Sequence, residues 1–122
     1  MCQAARSEIL NYLQGMNITT AAAQPMACNP AAISATDRPA YIDLLQRLRT
    51  AVREREELAT GYRFRIAGNA ISLADTAQWI AWERLCCPFL TFEIRVTGDD
   101  EDYRLTLSGP AGTKQILEQA FR

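Results

Sequence analysis

The 122-residue chain contains no histidine. That absence excludes Ser-His-Asp and Cys-His machinery, imidazole acid/base chemistry and zinc sites built on imidazole. Any metal site must use cysteines, carboxylates or backbone oxygens. No apolar run approaches the roughly 18 residues that a membrane span requires. The N-terminus lacks a basic region followed by an apolar one, so no secretory signal is expected. An excess of either charge is also missing. The formal net charge of -1 supplies no global field towards nucleic acid or an anionic membrane.

What is present fits one soluble α+β domain. Hydrophobic residues make up 48 % and charged residues 22 %, and a chain of this length can bury a core without staples. The four cysteines are Cys2, Cys28, Cys86 and Cys87. They are too few and too closely spaced for a secreted disulfide scaffold. They are therefore read as reduced thiols of a cytoplasmic protein. The bland reading of each is a small buried hydrophobe.

Residues 1–36 are expected to form an N-terminal extension, with a short helix over 3–15 and an Ala- and Pro-rich loop over 17–36 that carries Cys28. Residues 37–122 are expected to form the domain. Thr36 or Asp37 can cap its first helix, and Pro39 suits the first turn. Tyr41, Leu44, Leu45, Leu48, Val52 and Leu58 give an apolar stripe. REREE at 53–57 reads as the solvated face of that helix, and Gly61 as its C′ residue.

YRFRI at 62–66 alternates as a half-buried strand. Ser72 and Asp75 make a variant capping box for a helix over about 73–87, which Pro88 stops. Phe92, Ile94 and Val96 alternate with polar residues. So do Tyr103, Leu105 and Leu107, across a GDDED turn at 98–102. Ser108-Gly109-Pro110 opens a closing helix, with Ile116, Leu117, Ala120 and Phe121 inward. The expected fold is a two-layer α+β sandwich. Its three-stranded antiparallel or mixed sheet carries helices on one face, in the order α-β-α-β-β-α.

The most unusual segment is ERLCCPF at 83–89. On a wheel of about 100° per residue, Trp79, Ile80, Glu83, Cys86 and Cys87 share one face, with Trp82 at its margin. Ala74, Ala77, Ala81 and Leu85 lie opposite, and both faces look capable of burial. A carboxylate inside an aromatic and thiol face must pair, coordinate or take up a proton. One reading pairs Glu83 with an arginine from another element. The other makes Cys86 and Cys87 ligands of a soft ion, with Glu83 as a fourth ligand or a hydrogen-bonding neighbour. Adjacent helical residues diverge, so two neighbours alone chelate poorly. Cys28, on a loop flanked by Pro25 and Pro30, supplies the third sulfur if that loop folds over the helix end.

A catalytic thiol fits less well. The cysteines sit at a helix C-terminus, where the macrodipole opposes a thiolate, and no histidine can act as base. No catalytic residue is assigned, and the reading leans away from an enzyme. Arg63, Arg65, Arg95 and Arg104 share the outer sheet face with Glu93 and Thr106. No aromatic side chain interrupts that face, as stacking on RNA would require. A solvated face or a sheet-mediated homodimer fits better than nucleic-acid binding.

Residues from about 26 to 121 resemble a family of small, uncharacterised bacterial proteins. The resemblance rests on Ala27-Cys28, GYRFRI at 61–66, WIAWERLCCPFLTFEI at 79–94 and LTLSGPAGTK at 105–114. ERLCCPF is its most specific part. It implies that Cys28, Glu83, Cys86 and Cys87 belong together, and that Cys2 and residues 1–24 lie outside the shared part. It also implies a place among bacterial metal-stress functions. The expected function is therefore a site that binds a soft metal or metalloid ion through Cys28, Cys86 and Cys87, beside Glu83, in a sensor, buffer or carrier. The alternative is a non-catalytic small-molecule-binding or dimerising module. In it Trp79, Trp82 and Phe89 line a pocket and the cysteines only pack.

Overall fold

The structure, a computed structural model, describes residues 28–121. The helix expected over 3–15, Cys2 and the 17–27 part of the expected loop lie outside these residues. The described chain begins with a 3-10 turn, Pro30–Ala32. Helix α1 follows at Arg38–Thr50, strand β1 at Val52–Glu57 and strand β2 at Gly61–Ile66. Helix α2 spans Leu73–Cys86, β3 Thr91–Arg95, β4 Tyr103–Ser108 and α3 Thr113–Ala120.

The fold is α+β, but its sheet has four strands where the sequence reading expected three. All neighbours are antiparallel, in the order β1-β2-β4-β3. The element order is α-β-β-α-β-β-α. The added strand is VREREE at 52–57, of which REREE had been read as the solvated face of the first helix and Val52 as part of its apolar stripe. That helix closes at Thr50, whose hydroxyl bonds back to the carbonyls of Gln46 and Arg47 at 3.2 and 3.0 Å. The buried stripe of Tyr41, Leu44, Leu45 and Leu48 runs on only to Ala51 and Val52, and the five residues after them are all charged. The charges find cross-strand partners instead. Glu54 pairs with Arg65 at 3.2 Å and Glu56 with Arg63 at 3.1 Å. Opposite charges directly across an antiparallel pair stabilise it. Val52 and Leu58 thus belong to the β1–β2 hairpin rather than to the helix.

Gly61 has a different task from the expected helix C′. It opens β2 opposite Ser108, and a Cβ there would run into the Leu107 carbonyl. The α1 cap also differs. Asp37 occupies the N-cap with no side-chain bond of its own, and its amide donates to Ser34 Oγ at 3.2 Å. The α2 cap is as read, with Ser72 Oγ accepting from the Asp75 amide at 3.0 Å.

The core lies between the helices and the inner sheet face. Tyr62, Phe64 and Ile66 of β2 and Tyr103, Leu105 and Leu107 of β4 are buried there. Phe121 follows α3 and packs on Phe64 with ring centroids 4.7 Å apart. The outer face carries the ion pairs of Arg63 and Arg65, joined by Arg65 and Arg53 on Asp102, each at 3.2 Å. These exposed pairs add little stability individually, but they spend on neighbouring carboxylates most of the cations a phosphate backbone would need. No helix among the described residues is long and apolar enough to cross a membrane.

Gly61→Ala is expected to destabilise the protein by about 1–3 kcal/mol, because the intruding methyl meets backbone that cannot yield. Gly98→Ala, where a Cβ meets nothing within 4 Å, should stay within about 0.5 kcal/mol. Urea unfolding of the two variants beside the parent checks the contrast.

Candidate metal centre

Helix α2 buries a single stripe, Thr76, Trp79, Glu83 and Cys86. The opposite face is exposed, with Leu85 at 52 %. The expectation that both faces pack is therefore corrected. Small residues at 74, 77 and 81 meet no neighbour, because the sheet and α1 lie on one side of the helix only.

Pro88 ends α2, and Cys87 becomes its C-cap at φ -127° and ψ 70°. Its amide still donates to the Glu83 carbonyl at 2.7 Å. Leaving helical geometry releases the Cys87 side chain from the 100° divergence that makes adjacent helical cysteines poor partners. The Sγ atoms of Cys86 and Cys87 lie 3.5 Å apart.

Cys28 arrives from the other direction. The Asn29 amide donates to the Cys86 carbonyl at 2.7 Å, which fastens this segment to the end of α2. Arg38 Nε donates to the carbonyls of Pro30 and Ile33 at 3.2 and 3.0 Å, and Ile33 is buried in the core. Cys28 and Cys87 have Cα atoms 4.7 Å apart and form a disulfide. Cys86 is disulfide-bonded as well, so the reading of Cys28, Cys86 and Cys87 as reduced thiols is corrected. The separation falls within the range that a disulfide spans without backbone movement.

Glu83 is fully buried beside these sulfurs. Its Oε1 lies 3.5 Å from Cys86 Sγ, a disulfide sulfur with no proton to donate, and its Oε2 accepts from Tyr41 Oη at 2.7 Å. Tyr41 Oη also lies 3.9 Å from Cys86 Sγ. The ion pairs of the described arginines go to carboxylates other than Glu83. Desolvation pushes the Glu83 carboxyl above the ordinary glutamate range, against the hydrogen bond from Tyr41.

One ligand atom from each of Cys28, Glu83, Cys86 and Cys87 lies within 4.8 Å of all the others. The sequence reading had named these four residues, and the fold brings them together. It had not named Tyr41, which was taken as part of the α1 stripe. The available signal was a phenol in a row of leucines, since a buried tyrosine hydroxyl seeks a polar partner.

Trp79, Trp82 and Phe89, the alternative pocket residues, lie differently. Trp79 is fully buried, edge-on to Phe92 and Phe121 with centroids 6.0 and 6.3 Å away. Its indole Nε1 has no hydrogen-bond partner among the described residues. Trp82 and Phe89 are half-buried and pack against the core. No protein-family model, curated protein or solved structure matches the chain.

The cluster makes stability depend on pH through Glu83. A carboxyl whose pKa is raised by folding holds more protons folded than unfolded, so stability falls as pH rises from about 4.3 through the raised value. Glu83→Gln should remove most of that fall. Unfolding midpoints of both proteins across the acidic and neutral range check this, with the slope expected only in the parent.

Proposed function

We propose that the protein binds one soft metal or metalloid ion through Cys28, Cys86 and Cys87, with Glu83 as a fourth ligand or as a hydrogen-bond acceptor beside the sulfurs. The observation that carries this reading is the convergence of three sulfurs and a carboxylate within 4.8 Å. Soft thiolates select thiophilic ions over magnesium or calcium, and this donor set contains no imidazole. Tyr41, bonded to Glu83, would orient the carboxylate as outer-sphere partners do in other metal sites.

Cys28, Cys86 and Cys87 are all disulfide-bonded, so binding through them requires these bonds to open. A cellular dithiol would supply two electrons for each bond. The S–S bond breaks, its two sulfurs take up the dithiol's two protons and become thiols, and the dithiol becomes a disulfide. The ion then replaces protons on the sulfurs. A reducing cytoplasm, the location expected from the sequence, favours the open form. In that setting the protein would act as a sensor, buffer or carrier of the ion, in keeping with the metal-stress role that its resemblance to a family of small, uncharacterised bacterial proteins implies.

Reduction has a stability consequence. The bridge spans 59 residues, and a loop of that size contributes about 4 kcal/mol through the unfolded state on the chain-entropy model. An ion joining the same residues should restore part of it, since binding only the folded state adds stability. The thermal midpoint is thus expected to fall on reduction and recover on adding the right ion.

Native mass spectrometry of the reduced protein with Zn(II), Hg(II) and As(III) tests the reading. One ion per chain is expected, with loss of protons, and none for the oxidised protein. Cys28→Ser should lower affinity as much as Cys86→Ser, and Tyr41→Phe by about 10–100-fold. Full affinity in Cys28→Ser would show that the three-sulfur site is wrong.

A further inference from the structure

The two edges of the sheet are built differently. β1 is guarded in the ways that keep edges from pairing. Five of its six residues are charged, and its register with β2 is broken between Val52 and Glu54. β3, the other edge, has fewer of these devices, with two charged residues of opposite sign among its five. Its register with β4 is unbroken, and it contains no lysine or proline. Among the described residues it is hydrogen-bonded on one side only.

From Thr91 the chain reads TFEIRVT, of which the first five residues are β3 while Val96 and Thr97 follow it and would extend it in a pairing. This stretch is a palindrome in residue class, with the charge inverted across Ile94. If two copies are laid antiparallel about Ile94, every cross-strand pair matches. On the outer face Glu93 meets Arg95 of the other copy and Thr91 meets Thr97. On the inner face Phe92 meets Val96 and Ile94 meets its equivalent. Opposite charges, aromatic with β-branched side chains, and paired threonines are the combinations that stabilise antiparallel neighbours.

Three further observations agree. Glu93 and Arg95 take part in no ion pair among the described residues, whereas Arg53, Arg63, Arg65 and Arg104 on the same sheet and its flanks all do. Val96 is an exposed large hydrophobic side chain, at 52 %. Its match, Phe92, is only partly buried although it packs against the core.

We infer that the partner of this edge is a second copy of the same chain, joined β3 to β3 about a two-fold axis at Ile94. The two sheets then form one eight-stranded antiparallel sheet, with Glu93 and Arg95 paired twice across the axis. Such an interface is isologous and closed, so it stops at a dimer. Its two ion pairs select the register, because a shift by two residues would lose them. This inference is independent of the ion-binding reading.

Sedimentation velocity of the full chain is the first test, with a species of twice 13.6 kDa expected. Charge reversal then tests the register. Glu93→Arg places arginine against arginine, and Arg95→Glu places glutamate against glutamate. Each should weaken the dimer roughly tenfold or more. Mixing the two single variants should give a heterodimer in native mass spectrometry, and the double swap E93R/R95E should regain the parental dimer. These exposed positions leave the core intact. A monomeric parent protein would overturn the inference, whether residues 1–27 or a different protein cover the edge. So would a dimer that ignores both single reversals, or a mixture that forms no heterodimer.

Discussion

Proline 88 has no amide hydrogen and cannot continue the ladder of α2. Much of the molecule follows from that constraint. Cys87 turns out of the helix one residue earlier, and this turn sets its sulfur beside that of Cys86 and within bonding distance of Cys28. The chain that leaves the turn carries buried Leu90, whose amide bonds to the Cys87 carbonyl at 3.2 Å, and runs directly into β3. A regular helix through 87 and 88 would have carried the two sulfurs apart and displaced the strand that completes the sheet.

Around that turn the protein concentrates groups that are costly to bury. A fully buried carboxyl group meets a phenol and the sulfur of disulfide-bonded Cys86, beside the Cys28–Cys87 disulfide. A domain of this size has a large apolar core available, so a polar cluster there is not what stability alone would select. The same helix also carries Trp79, whose indole N–H finds no acceptor among the described residues. Elsewhere the sheet is conventional, with alternating strands and charges paired across neighbours.

The two ends of the sheet differ in charge and in self-complementarity. β1 presents paired and exposed charges, and Arg55 lies over the Tyr62 ring at 5.1 Å. β3 presents a stretch complementary to itself. The sulfur cluster sits at the end of α2, immediately before β3 in the chain. An association through β3 would therefore place two copies of the cluster in one assembly, each built within its own chain.

Local chemistry was enough to read several parts of this protein. Alternation in YRFRI, the Ser72 cap, the Pro88 stop and the GDDED turn each depend on neighbours a few residues away, so sequence reasoning reached them. It also reached the four members of the cluster, because a carboxylate and two thiols on one helical face stand out. β1 escaped it because REREE is as polar as a solvated helix face, and its stabilisation comes from Arg63 and Arg65, which only strand pairing brings near. Tyr41 escaped because a tyrosine in an apolar stripe looks like core until its hydroxyl meets Glu83, 42 positions away. The oxidation state of Cys28 and Cys87 escaped for the same reason. Composition argued for reduced thiols, but a bond across 59 residues depends on a Cα separation that the folded chain alone decides. The sequence by itself determined which residues could take part. Their assembly was left to long-range contacts, whose loop-closure cost no local pattern encodes.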